Sequence, residues 1–161
     1  MSNPNSPTSF CQLPIAGVGR RLAALGYDAL IIVGLLMVFM FLALMIASSF
    51  SGLNCNPQTA DYTPCVRGPL LQFGMLVVIA GYFVWSWRAA GQTIGMRAWR
   101  LILASPQGVQ LGWRQCGLRL LVAPVSLACF GIGYFWAWTR SDRASWQDLA
   151  SNSQVRLLPK K

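Results

Sequence analysis

Histidine is absent from this chain, and acids nearly so: 161 residues hold 4 Asp and Glu against 13 Lys and Arg. The lack of histidine removes the commonest metal ligand, bis-histidine haem and the usual general base together. Lysine occurs only at Lys160 and Lys161. Charged residues make up 11% of the chain, where a soluble domain has roughly 25%. With 55% hydrophobic residues and a mean hydropathy of +0.48, too few polar groups remain to cover a soluble surface. Disorder, a repeat array and a disulfide-dense secreted module are excluded by the same composition. What fits is a membrane protein of one domain, with at most a few spans of roughly 20 residues each and no separate catalytic domain. No nucleophile-base pair and no ligand cluster is visible, so we expect no enzyme activity, no cofactor and no metal.

The formal net charge of +9 does not point to nucleic acid. The arginines sit at the edges of apolar runs and in short loops, where cations set topology and meet anionic lipid. They form no dense stripe interleaved with aromatics. Of the five cysteines, Cys55 and Cys65 share a polar loop poor in arginine and are a candidate disulfide, with two unrelated thiols as the alternative. Cys11, Cys116 and Cys129 show no ligand spacing.

Along the chain, residues 1–19 hold Pro4, Pro7 and Pro14 among Ser and Asn, without the basic start of a secretory signal, and read as a flexible tail. A membrane domain follows over 20–158, with spans at about 22–48, 69–87 and 120–138, and 159–161 form a basic tail. The uninterrupted apolar part of the first span, 29–47, reaches roughly 28 Å as a helix. Tyr82, Trp85 and Trp87 close the second span as headgroup-level aromatics. Between the second and third runs lie Arg88, Arg97, Arg100, Arg114 and Arg119 and no acid, so this loop, and with it the N-terminus, is expected to be cytoplasmic. Inside the loop, 98–104, a turn at 105–108 and 109–111 read as a short interfacial β-hairpin. The third run contains Pro124 and Gly131-Ile132-Gly133. If it crosses, the basic tail lies outside against the charge rule, so a bent or re-entrant segment is favoured over a third span. A strand at 153–158 that extends the hairpin would require that arrangement. Such a turn must be covered by protein, which calls for a homo-oligomer or larger complex. The fold class is thus an all-α integral membrane protein with a small interfacial β-hairpin.

Asp28 is the most informative residue, a carboxylate roughly 10 Å beyond Arg21 in an otherwise apolar helix. It costs several kcal/mol there unless paired, protonated or facing water. It is either a cation- or proton-binding group or one half of a fixed pair with Arg21, and Arg88 is also placed to reach it. Asp148, near Arg143 and Trp146, reads in isolation as part of a solvated, interfacial helical turn. Gly91-Gln92-Thr93-Ile94-Gly95-Met96-Arg97 has two glycines four apart but no lysine or βαβ setting for phosphate. Close packing of backbone against a helix is the better reading.

Three segments together resemble the RDD family of small bacterial multi-pass membrane proteins, named for one arginine and two aspartates. Arg21-Leu-Ala-Ala24-Leu-Gly-Tyr-Asp28 is similar to its first-helix pattern. The Gly91 to Arg97 loop resembles its glycine-glutamine-threonine block, and Asp148-Leu-Ala-Ser-Asn-Ser153-Gln-Val155 its terminal aspartate and strand. The resemblance implies that Arg21, Asp28 and Asp148 are the signature residues, with Gly91, Gln92, Thr93, Gly95 and Arg97 as the motif loop. It implies a bacterial cytoplasmic-membrane protein associated with transport of a small solute or with monovalent cation/proton exchange. A non-transporting scaffold or accessory subunit, whose basic face at Arg97 and Arg100 holds anionic lipid or a partner, is the alternative. The chain departs from the family at Met96, Gln147 and Ser153, where lysine, histidine and threonine are common. A proton relay through the first two is therefore not expected.

Overall fold

The computed structural model describes residues 13–51, 68–105, 111–129, 136, 138 and 144–159. The long apolar run forms α1 (Val18–Ser51), which has no proline and satisfies its backbone internally, as a segment in lipid must. Large side chains stand exposed around it, among them Leu30, Met37 and Phe41. The second helix, α2 (Pro69–Ala90), starts on a proline at a position that needs no N–H and ends on Gly91 at φ 64°. That left-handed cap is available to glycine at little cost. Both helices are long and apolar enough to cross a membrane.

The chain then forms a compact cap at the end where α1 starts and α2 finishes. A five-residue helix α3 (Ile94–Ala98) is N-capped by Thr93, and Arg100, at φ 58°, turns the backbone into β1 (Leu101–Ala104). Helix α4 (Trp113–Ala128), which contains Pro124, follows. Then come the short α5 (Trp146–Ala150) and β2 (Gln154–Leu157). Strands β1 and β2 pair antiparallel, Leu101 opposite Leu157 and Ala104 opposite Gln154. Along the other edge of β2 runs the N-terminal segment: Ile15 bridges Arg156, Ala16 N donates to Val155 O and Leu157 N to Pro14 O. The buried apolar cluster lies here, with Ala24, Trp87, Leu101, Leu103, Leu111, Cys116 and Val155.

Several sequence expectations change. Residues 14–16 belong to the paired cap, not to a tail, and α1 begins at Val18. The partner of β1 is β2, as the C-terminal extension anticipated, while Leu111 carries no strand and 106–110 lie outside the described residues. Burial explains the choice: Leu103 and Val155, direct partners, are both buried in the core. The arginine-rich stretch is not all loop, since Arg114 and Arg119 are helical in α4. Of the third apolar run, helix is described to Ala128, and most of 130–143 lies outside the described residues. So do Cys55 and Cys65. Among the described residues the free cysteines are Cys116, buried, and Cys129, exposed.

Candidate functional site

Two polar clusters fasten the cap to α1, and the signature residues are divided between them. In the first, α1 brings Arg21, α4 brings Arg119 and α5 brings Asp148. Arg21 Nη1 donates to Asp148 Oδ2 at 2.6 Å, and Arg119 Nη2 lies 2.8 Å from Oδ1 as an ion pair without hydrogen-bond alignment. Ser145, the N-cap of α5, donates to Oδ2 through its hydroxyl at 2.7 Å and its amide at 3.1 Å. Arg119 also donates to Ser151 and Ser153 and lies over the Trp87 ring. Asp148 is 1% exposed. Complete burial alone would push its carboxyl up, but the Arg119 and Arg21 guanidiniums and the Ser145 donors outweigh burial and hold it below the ordinary carboxylate range.

The solvated-face reading of Asp148 is therefore overturned. Its arginine partners are distant in sequence, and the solvated appearance came from Arg143, which is not among the described residues. Arg119 was missed because nothing distinguishes it from the other arginines except its apolar neighbours Leu118 and Leu120. One local signal was present: Ser145 and Asp148 have the spacing of a capping box.

The second cluster surrounds Asp28, two turns further along α1 and 4% exposed. Tyr82 of α2 donates its hydroxyl to Oδ1 at 2.6 Å, Thr93 donates to Oδ2 at 2.5 Å and the Gly95 amide donates to Oδ1 at 2.9 Å. Both hydroxyls are themselves fixed, Thr93 Oγ1 accepting from Met96 N and Tyr82 Oη from Ile94 N. Gly95 is required by space: a Cβ there would lie 2.2 Å from Ala24 O and 2.9 Å from Asp28 Oδ1. The expected Arg21–Asp28 ion pair is not formed among the described residues, because Arg21 reaches back towards the cap. Arg88 also points elsewhere, donating to Leu111 O and lying 4.1 Å from the Trp113 ring centroid.

The motif loop thus divides by function. Gly91 ends α2 and accepts from Leu103 N, Thr93 and Gly95 hold Asp28, and Arg97 is exposed. Gln92 is half-buried, and nothing in the structure explains its identity. Tyr82, read from sequence only as a headgroup aromatic, is the third member of the Asp28 shell. A cavity of about 660 Å³ opens beside both clusters, walled by α1, α2 and α4, with Asp28, Arg21 and Arg119 on its lining. No metal-binding group of His, Cys, Asp and Glu occurs among the described residues.

No curated protein and no solved structure matches the chain. A family model, the RDD family, matches residues 15–152, a span that includes Arg21, Asp28, Arg119 and Asp148 and all elements but β2. With its two apolar helices long enough to cross a bilayer, the chain belongs to the RDD family of membrane proteins.

Proposed function

We propose that the protein is a transport-related component of the bacterial cytoplasmic membrane, exchanging a small solute, a monovalent cation or a proton through Asp28. The observation that carries this reading is the Asp28 shell: a buried carboxylate in a membrane-crossing helix, held by three neutral donors, on the wall of a cavity. Neutral donors stabilise the anion without cancelling its charge, so a cation or a proton arriving there has a charge to neutralise. Neutralising Asp28 weakens three hydrogen bonds that fix α3 and α2 against α1, which couples occupancy to helix packing. The internal competitor is then this shell of hydroxyls and amide, in place of Arg21.

The same geometry and the charge rule support one topology. The N-terminal segment, β1 and β2 pair with one another, which supports one compartment for all three and a third apolar segment that leaves and returns on that side. By the charge rule the arginines favour the cytoplasm for that side. Two or three helices scarcely enclose a pathway, so transport requires a homo-oligomer or larger complex.

Flux of sodium and protons into vesicles containing the purified chain tests the reading. Asp28→Asn and Asp28→Ala are expected to abolish flux, and variants that move either ion as well as the wild type end it. The first cluster favours a second reading. Arg21 and Arg119 are buried and both ion-paired with the buried Asp148, as structural fastening would require, while Arg20, Arg97 and Arg114 are exposed to hold anionic lipid or a partner. A scaffold of this kind is inert in the flux assay, and Asp28→Asn then lowers thermal stability alone.

A further inference from the structure

We infer that the species exchanged at Asp28 is a proton, that the shell around the carboxylate excludes metal cations, and that Thr93 is the group on which the proton is held. This rests on the transport reading and narrows it. Lone pairs decide between proton and cation. An ionised carboxylate offers about four lone-pair sites, and three are taken: Oδ1 accepts from Tyr82 Oη and the Gly95 amide, and Oδ2 from Thr93 Oγ1. The hydroxyls are engaged as well, Tyr82 Oη accepting from the Ile94 amide and Thr93 Oγ1 from the Met96 amide. A small hard cation binds by gathering several oxygen lone pairs at once. Around Asp28 it would meet N–H and O–H hydrogens instead, and the amides of Ile94, Gly95 and Met96 cannot turn round to accept.

A proton needs a single acceptor, and one is in place. Delivered by a hydronium ion through the cavity, which both Asp28 and Thr93 line, it bonds to the open site on Oδ2, and a water molecule leaves. Thr93 Oγ1, 2.5 Å away, has a lone pair left to accept the new O–H. The threonine's own hydrogen then rotates off Oδ2 towards the cavity. The two oxygens keep their spacing while the hydrogen bond between them reverses. The bonds from Tyr82 and Gly95 to Oδ1 persist but lose their charged acceptor, and release of the proton to water runs the same steps backwards. Of the charged and titratable groups around the shell, Arg21 and Arg119 are ion-paired with Asp148 and Arg88 donates to Leu111 O. Tyr27 and Arg97 are exposed, and Tyr82 touches the carboxylate as a donor.

Infrared difference spectra of the full chain in detergent, recorded between neutral and acid pH, read the protonated carboxyl directly. The expected result is an acid band that Asp28→Asn lacks, with the same midpoint in sodium and in choline at equal ionic strength. That band should shift in Thr93→Val and return in Thr93→Ser, which restores the hydroxyl. Asp28→Glu, which displaces the band, assigns it if Asp28→Asn does not fold. Sodium that pushes the midpoint to lower pH overturns the inference, because a cation is then competing for the carboxylate. So does an unmoved band in a folded Thr93→Val variant. Proton flux into vesicles should likewise be equal in sodium and choline. An absence of flux beside a band indifferent to sodium ends the transport reading and leaves the proton site standing.

Discussion

At Arg21, α1 meets a fully buried carboxylate shared by two guanidiniums; two turns further along the same helix, Asp28 presents a carboxylate held by hydroxyls and an amide. Both are aspartates, both are buried, and both join the cap to α1. They differ in what removing them leaves behind. Without Asp148, two buried guanidiniums lose the carboxylate they share. Without Asp28, three neutral donors lose an acceptor. A buried ion-paired cluster resists loss of any member, whereas a carboxylate with neutral donors tolerates, and responds to, a change in its own charge.

The largest effect should come from the first cluster. Asp148→Ala is expected to cost about 3–5 kcal/mol, the penalty for breaking a buried ion pair from one side, read as thermal or denaturant unfolding in detergent. A loss below about 1 kcal/mol would erase the contrast with Asp28. The same energy is titratable. Because the folded state holds the Asp148 carboxyl below its ordinary value, near 3.9 when unfolded, its contribution is fully present above that value. It disappears as pH falls through the lower folded value. Unfolding followed from pH 6 downward should show this loss in the wild type and not in Asp148→Ala.

Gly95→Ala comes next, at about 1–3 kcal/mol, the usual cost of overpacking. Its Cβ meets the backbone of α1 and the Asp28 carboxylate together, so it should disturb flux as well as stability. Tyr82→Phe removes one donor to a charged acceptor and should cost about 1.5 kcal/mol. Its effect should shrink in an Asp28→Asn background, and a double-mutant cycle with no coupling would show that the two do not act as one shell. Arg97→Ala, whose side chain is exposed and belongs to neither cluster, should stay within about 0.5 kcal/mol. A larger change would mean that the basic face is part of the fold.

Scarcity made the acids legible. With 4 in the chain, Asp28 stood out from its setting and Asp148 only through the family resemblance, and the burial of Asp28 followed from its apolar neighbours. Their partners did not follow. Arg21 and Asp28 share a face of one helix and looked like a pair by proximity, yet a long side chain near a helix end reaches towards the cap, where Asp148 arrives from 127 positions away. No local pattern carries that information. The motif loop was readable as close backbone packing, since two glycines in a short polar stretch admit few other uses, and Gly95 against Ala24 has that geometry. That Thr93 both caps α3 and donates to Asp28 depends on α2 and α3 meeting α1 at one depth, which sequence alone does not set. The membrane helices were the plainest feature, and their ends the least so. The first helix starts earlier than its apolar run because its opening turn is stabilised by the cap.

The central position of β2, between β1 and the segment at Ile15, has a consequence for how the protein is made. The last strand is what joins the first residues of the domain to the middle of the chain, and Asp148 emerges only just before it. At about 5–20 residues per second, Arg21 precedes its counter-ion by roughly 6–25 s of synthesis. Both apolar helices are therefore complete before the cap can close, and until it does, Arg21 and Arg119 have no Asp148 to hold them. A chain stopped short of Asp148 leaves Arg21 and Arg119 without the carboxylate that joins them across the cap.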